Sequence, residues 1–211
     1  MNVKSTFFHP VKTLILIVML FAVSPRFSDA YSVKYKEDWY RLYHIHYQQN
    51  PDDCMENIYW LEKATKADFC NPLYANAKIE TEKQWEKYRY IFQMHINLKL
   101  IEQHMRLGRI YDKKTAYFYD APWKDEYLRN LENTLACYNA GLYYWEEASR
   151  WAEKANAKEF DFLFITDLQG FEDERERIKT GELDYKKILE REIKRVESVR
   201  DAFLAMDSKN Y

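Results

Sequence analysis

Apolar residues recur at helical spacing along most of the chain beyond Tyr35. A first helix is predicted over residues 36–48, carrying Trp39, Leu42, Tyr43 and His46. Asn50 is a good N-cap and Pro51 suits a first helical position. A second helix is therefore predicted from there to about Asp68, with Cys54, Ile58, Leu61 and Ala64 on one face. Thr81, followed three residues later by Gln84, reads as a capping box that opens a third helix. Its apolar stripe is Tyr88, Ile91, Met94, Leu98, Ile101 and Met105, at steps of three and four. Its end falls at Gly108 or Tyr111. Pro122 and Trp123 open a long fourth helix to about Ala155, whose inner side holds Leu128, Leu131, Leu135, Tyr138, Leu142, Trp145, Ala148 and Ala152. Residues 158–179 place Phe160, Phe164, Leu168, Phe171 and Ile178 at near-helical intervals and predict a fifth helix. The run from Phe162 to Ile165 would suit a strand by propensity alone. Thr180 and Gly181 break the chain before a sixth helix bearing Tyr185, Leu189, Ile193, Val196, Val199, Phe203 and Met206, with Glu182–Lys186 and Glu190–Lys194 able to pair outside. Six helices joined by short connections predict an all-α fold of antiparallel hairpins.

The first thirty residues follow a different pattern. Lys4, His9 and Lys12 precede an apolar run, TLILIVMLFAV, and Ser28 and Ala30 then supply small residues where a signal peptidase needs them. Residues 1–30 are expected to be a secretory signal peptide, and residues 31–211 a single exported, periplasmic domain with no transmembrane segment. The whole chain has 32 Lys and Arg against 34 Asp and Glu. A leader containing Lys4, Lys12, Arg26 and Asp29 leaves the remainder more acidic still. Such a balance argues against a nucleic-acid binder, which needs a basic surface. Four Gly and five Pro in 211 residues are too few for many tight turns, which again favours long helices.

Catalytic and metal chemistry find little purchase. His44, His46, His95 and His104 have no metal-motif spacing, and neither paired CxxC nor a calcium loop occurs. No G-x-S-x-G elbow is present, and four scattered Gly cannot build a phosphate loop. Cys54 and Cys70, if they flank one helix, stand roughly 24 Å apart, beyond disulfide reach. Either Cys137 pairs with one of them or all three are free buried thiols. The expectation is a non-enzyme without catalytic residues, metal or cofactor.

Aromatic residues make up 17% of the chain, with 18 Tyr and six Trp. Most lie on the apolar stripes and read as core. Tyr111, Tyr117, Tyr119 and Trp123 instead crowd the connection between Gly108 and Pro122, without helical spacing. Tyr and Trp dominate protein–protein hot spots, so these four are the candidate partner-binding residues. Stacking on sugar rings would use the same residue types. A peptidoglycan-binding module therefore competes with the protein-binding reading, as does a small helical wall hydrolase, since one Glu in a groove leaves little trace in sequence.

Several fragments resemble known helical repeats. Leu107-Gly108-Arg109-Ile110-Tyr111 matches the Leu-Gly-x-x-Tyr of a tetratricopeptide first helix, and residues 140–144 (AGLYY) echo it. Residues 61–68 (LEKATKAD) resemble the ending of a second helix. Gly there would let a neighbouring helix approach, and the Tyr one turn later would fill the groove. The fragments lack a constant period, so a degenerate tetratricopeptide-like array is expected. Residues 53–75 (DCMENIYWLEKATKADFCNPLYA), 106–123 (RLGRIYDKKTAYFYDAPW) and 143–155 (YYWEEASRWAEKA) together resemble spirochaetal periplasmic tetratricopeptide-like proteins of the flagellar motor collar. That resemblance implies a scaffold or adaptor whose partners are proteins of an envelope assembly, namely collar or stator components.

Overall fold

In the computed structural model, residues 32–113 and 116–209 are described. The expected leader, residues 1–30, lies outside them. Six helices follow in order: α1 Lys36–Gln49, α2 Cys54–Lys66, α3 Glu82–Tyr111, α4 Lys124–Ala155, α5 Gln169–Thr180 and α6 Tyr185–Leu204. No strand occurs among the described residues. The fold is all-α, an array of helical hairpins.

Side-chain pairings give the directions. Trp39 stacks on Trp60 at 5.7 Å, and His46 Nδ1 meets Asn57 Oδ1 at 3.0 Å, so α1 and α2 run antiparallel. Tyr90 meets Trp151 and His104 meets Tyr144, so α3 and α4 do too. Trp145 meets Tyr185 and Tyr127 meets Phe203, which sets α6 antiparallel to α4.

α3 is the axis of the array. Met94, Leu98, Ile101 and Met105 enter one core with Leu131, Tyr138 and Trp145 of α4 and Leu189, Val196 and Phe203 of α6. Tyr88, Ile91, Phe92, Ile96 and Leu100 enter a second core with Tyr43 of α1 and Ile58 and Leu61 of α2. A helix that is apolar on opposite faces is buried between layers. The capping box at its start forms as the sequence predicts, with Thr81 Oγ1 accepting from Gln84 N and Gln84 Oε1 from Thr81 N, both at 3.1 Å. Close approach to α4 requires Gly108: a Cβ there would lie 2.4 Å from the Tyr138 ring. The groove this Gly opens is filled by Tyr138 of α4, not by Tyr111 one turn along α3.

Two predicted boundaries are corrected. α2 starts at Cys54, capped by Asp53, whose side chain accepts from Glu56 N at 3.1 Å; Asn50 instead ends α1. Residues 158–179 are not one helix. Two single 3₁₀ turns, Lys158–Phe160 and Thr166–Leu168, bracket a loop, and only then does α5 begin. Of the residues expected on one helical face, Phe160 and Leu168 are buried but Phe164 between them is exposed, as is Phe162. Lys87 of α3 holds the loop: its ammonium donates to the Leu163 carbonyl and pairs with Glu172 at 2.8 Å. Gly181 ends α5 with a left-handed backbone (φ 75°). The ion pairs here are Arg177–Glu182 and Lys186–Glu190, one step off the expected partners.

Three consecutive charged residues open α1 and are all buried. Lys36 Nζ donates to the carbonyls of Ala64 and Thr65 at 2.6 and 2.9 Å, capping the end of α2. Burial lowers its ammonium to about 8, against the pull of Glu37 and Asp68. Glu37 accepts from Tyr88 Oη at 3.1 Å and Cys70 N at 3.0 Å. Asp38 accepts from Tyr35 N at 3.0 Å. Each charge thus has the partners that burial demands.

Candidate functional site

Three of the four sequence-chosen aromatics are divided between the two cores. Tyr111, the last residue of α3, is half-buried against the core shared by α1, α2 and α3. Tyr117 and Trp123 are half-buried against Phe203 of α6, with ring centroids at 5.1 and 6.1 Å. Tyr119 is half-buried beside them in sequence. The structure brings Tyr117 and Trp123 together over α6 and sets Tyr111 in the other core. A small cavity of about 150 Å³ lies against Trp123, Tyr127 and Asn130.

A larger concavity lies elsewhere. α2 and α4 both pack on α3, and between them the α3 surface is open. Met55, Ile58, Tyr59 and Glu62 of α2 form one wall, Ala136 and Cys137 of α4 the other, and His104 and Leu107 of α3 the floor. The groove has a volume of about 450 Å³. Local sequence explains the wall: Cys54, Ile58 and Leu61 turn into the core, which leaves Met55 and Tyr59, one turn apart, on the flank. Met55 is 63% and Tyr59 45% exposed, large apolar surface for a helix this short. Tyr144 spans the groove at one end. Its hydroxyl donates to Glu62 at 3.1 Å while its ring stacks on His104 at 5.4 Å.

The chemistry of this groove favours contact over reaction. Both ring nitrogens of His104 are buried without a hydrogen-bond partner among the described residues. Burial holds this imidazole below its ordinary value despite the attraction of Glu62, so it is neutral near pH 7. Burial likewise raises the Cys137 thiol, helped by neighbouring Cys54, and raises Cys54 itself. All three cysteines are free and buried, and burial pushes Cys70 up to about 12. Protonated thiols are poor nucleophiles and poor metal ligands. Among the described residues no group of three or more His, Cys, Asp or Glu could hold a metal ion, and no helix is long and apolar enough to cross a membrane.

A second polar constellation is enclosed. Tyr40 Oη lies 2.7 Å from His95 Nε2, His95 Nδ1 lies 2.5 Å from Glu174, and Lys99 links Glu174 at 3.6 Å to Glu102 at 3.0 Å. Burial holds the His95 imidazole below its ordinary value, outweighing Glu174. A neutral ring fits this geometry: Nδ1–H donates to Glu174 and Nε2 accepts from Tyr40. Phe171 stacks on the ring at 3.6 Å. The order Tyr–His–Glu resembles a catalytic relay, but the imidazole is buried and both its nitrogens are engaged, so it works as a clasp between α1, α3 and α5. Nothing in the sequence singled out His95. Its hydrogen-bond partners are 55 and 79 residues away along the chain.

A family model described as a domain of unknown function (DUF8513) matches residues 83–206. The match begins one residue into α3 and ends just beyond α6, so the α2 wall of the groove lies outside the matched stretch. No curated protein and no solved structure matches the chain.

Proposed function

The chain belongs to the DUF8513 family, a domain of unknown function, and we propose that it is an exported, non-catalytic adaptor that binds another protein through the groove between α2 and α4. One observation carries this reading: an open apolar groove of about 450 Å³ whose lip exposes Met55 and Tyr59. Exposed large apolar side chains rimmed by polar ones mark interaction surfaces. Met adapts its shape to its contact and Tyr supplies rigid amphipathic area. The floor is helical and the walls are two helices, so a partner helix or short apolar segment is the natural guest. The resemblance of residues 53–75, 106–123 and 143–155 to flagellar collar components supports a periplasmic envelope assembly as the setting, with collar or stator proteins as partners.

The test is crosslinking of a tagged copy in cells, followed by mass spectrometry. It should be run on wild type, on Ala136→Glu, which places a charge on the groove lip, and on Tyr117→Ala/Trp123→Ala at the α6 end. The expected result is capture of envelope-assembly proteins by wild type and several-fold weaker capture by Ala136→Glu. Equal capture by Ala136→Glu, with loss in the Tyr117/Trp123 variant, would move the binding surface to the aromatics over α6. Recovery of wall glycan alone would favour the peptidoglycan-binding reading.

A further inference from the structure

The loop between the two 3₁₀ turns presents an apolar knob. Phe162 at its tip is wholly exposed and Phe164 is 51% exposed. The loop is nonetheless fixed on both sides. Phe160 and Ile165 are buried, Lys87 donates to the Leu163 carbonyl, and Leu163 N donates to the Phe160 carbonyl at 3.0 Å. Asp167 accepts from Lys78 N at 2.8 Å, tying the second turn to the chain before α3. A pre-ordered loop that displays two Phe to solvent loses little freedom when they are covered.

We propose that this knob docks in the α2–α4 groove of a second copy of the chain, so that copies associate head to tail. The proposal rests on the groove being a docking site and names one guest for it. Knob and groove match in kind: aromatic rings against a cleft of Met, Ile, Leu, Ala and Cys. Charge adds to the match. Lys158, Glu159 and Asp161 beside the knob are exposed and sum to one negative charge. At the groove, Lys63 lies over the Tyr59 ring at 5.4 Å and Lys66 stands 3.8 Å from Glu62, so the two lysines outweigh that carboxylate on the α2 wall by one positive charge.

A copy cannot fill its own groove. The knob is pinned at the level of Lys87 and the groove floor is at His104, both on the unbroken helix α3. Seventeen residues at 1.5 Å rise separate the two by about 26 Å. The contact is therefore between molecules and joins unlike surfaces, which leaves a free knob at one end and a free groove at the other. Two Phe rings make a small interface, so association is weak and concentration-dependent.

Sedimentation velocity of the purified protein from about 1 µM to about 1 mM tests this. The expected result is a weight-average mass that rises with concentration past that of a dimer. Phe162→Asp removes the knob and Ala136→Glu blocks the groove. Both positions are exposed, so both variants should keep wild-type helicity and remain monomeric alone. Mixed together, they should form a one-to-one dimer and nothing larger, because only one intact knob and one intact groove remain between them. Should either variant misfold, Phe162→Ser and Met55→Asp form a second such pair. A wild type that stays monomeric to the top concentration, a knob variant that associates like wild type, or a mixture that stays monomeric would each overturn the proposal. A monomeric wild type whose partner capture is still lost in Ala136→Glu would leave the groove as a protein site with a different guest. Capture unaffected by Ala136→Glu would instead remove the groove reading itself.

Discussion

Gly108 and Gly141 show how much a single hydrogen decides here. A Cβ at Gly108 would meet the Tyr138 ring at 2.4 Å, whereas one at Gly141 would meet Leu189 methyls at 3.1 and 3.2 Å. Tyr138 is buried between helices and has nowhere to swing. Overpacking costs about 1–3 kcal/mol, and replacing a helical Gly by Ala returns about 1 kcal/mol of propensity. Gly108→Ala should therefore lower stability by about 1 kcal/mol in urea unfolding, while Gly141→Ala should change it little. His95 makes a second prediction at this scale. Burial holds its imidazole below 6.5, so as pH falls through that value the unfolded chain takes up a proton that the folded chain refuses. Burial pushes the Glu174 carboxyl up, but His95 and Lys99 outweigh it and hold the group below 4.5, so stability drops further beneath that pH. The urea midpoint should fall between pH 7 and pH 5, and His95→Gln should flatten that fall whatever it does to the midpoint at pH 7. An unchanged slope would mean that His95 is not the buried neutral group described.

Among the elements, the loop ahead of α5 depends most on distant contacts. Lys87 and Glu172 are both almost fully buried, and Arg175 also pairs with Glu172 at 2.8 Å. Removing one member of a buried pair costs about 3–5 kcal/mol, and Arg175 keeps Lys87→Met near the lower end. The same change removes the donor to the Leu163 carbonyl, so hydrogen exchange should quicken around residues 161–168 before the rest of the chain opens. Helices α3 and α4 were legible because their stripes are long and their signals agree: Thr81 and Gln84 cap α3, and Leu131, Leu135 and Tyr138 repeat inside α4. The start of α2 was misplaced because Asn50–Pro51 and Asp53 are rival caps three residues apart, and it is Asp53 whose side chain accepts from Glu56 N while Asn50 closes α1. The helix expected over residues 158–179 failed because Phe160, Phe164 and Leu168 keep a helical interval by coincidence, while the contact that shapes the loop comes from 76 residues away. Nor does local pattern show what buries Lys36 and Glu37, whose partners lie at Ala64, Thr65, Cys70 and Tyr88.

For the whole molecule, the all-α class followed from periodicity and scarce Gly, but the groove did not. Met55 and Tyr59 can be placed on one flank of α2 from sequence alone. That no other helix among the described residues covers that flank is a property of how α2 and α4 share α3. Of the aromatics chosen from sequence, Tyr117 and Trp123 are half-buried because Phe203, eighty residues beyond Trp123, returns beneath them. The docking role of the groove is tested most directly by a photo-crosslinking amino acid placed in turn at Met55, on the groove lip, and at Glu197, on the exposed side of α6. Irradiation in cells should give discrete protein adducts from position 55 and few from position 197. Equal adducts from both positions, or none from position 55, would contradict the assignment of the groove as the surface by which this protein acts.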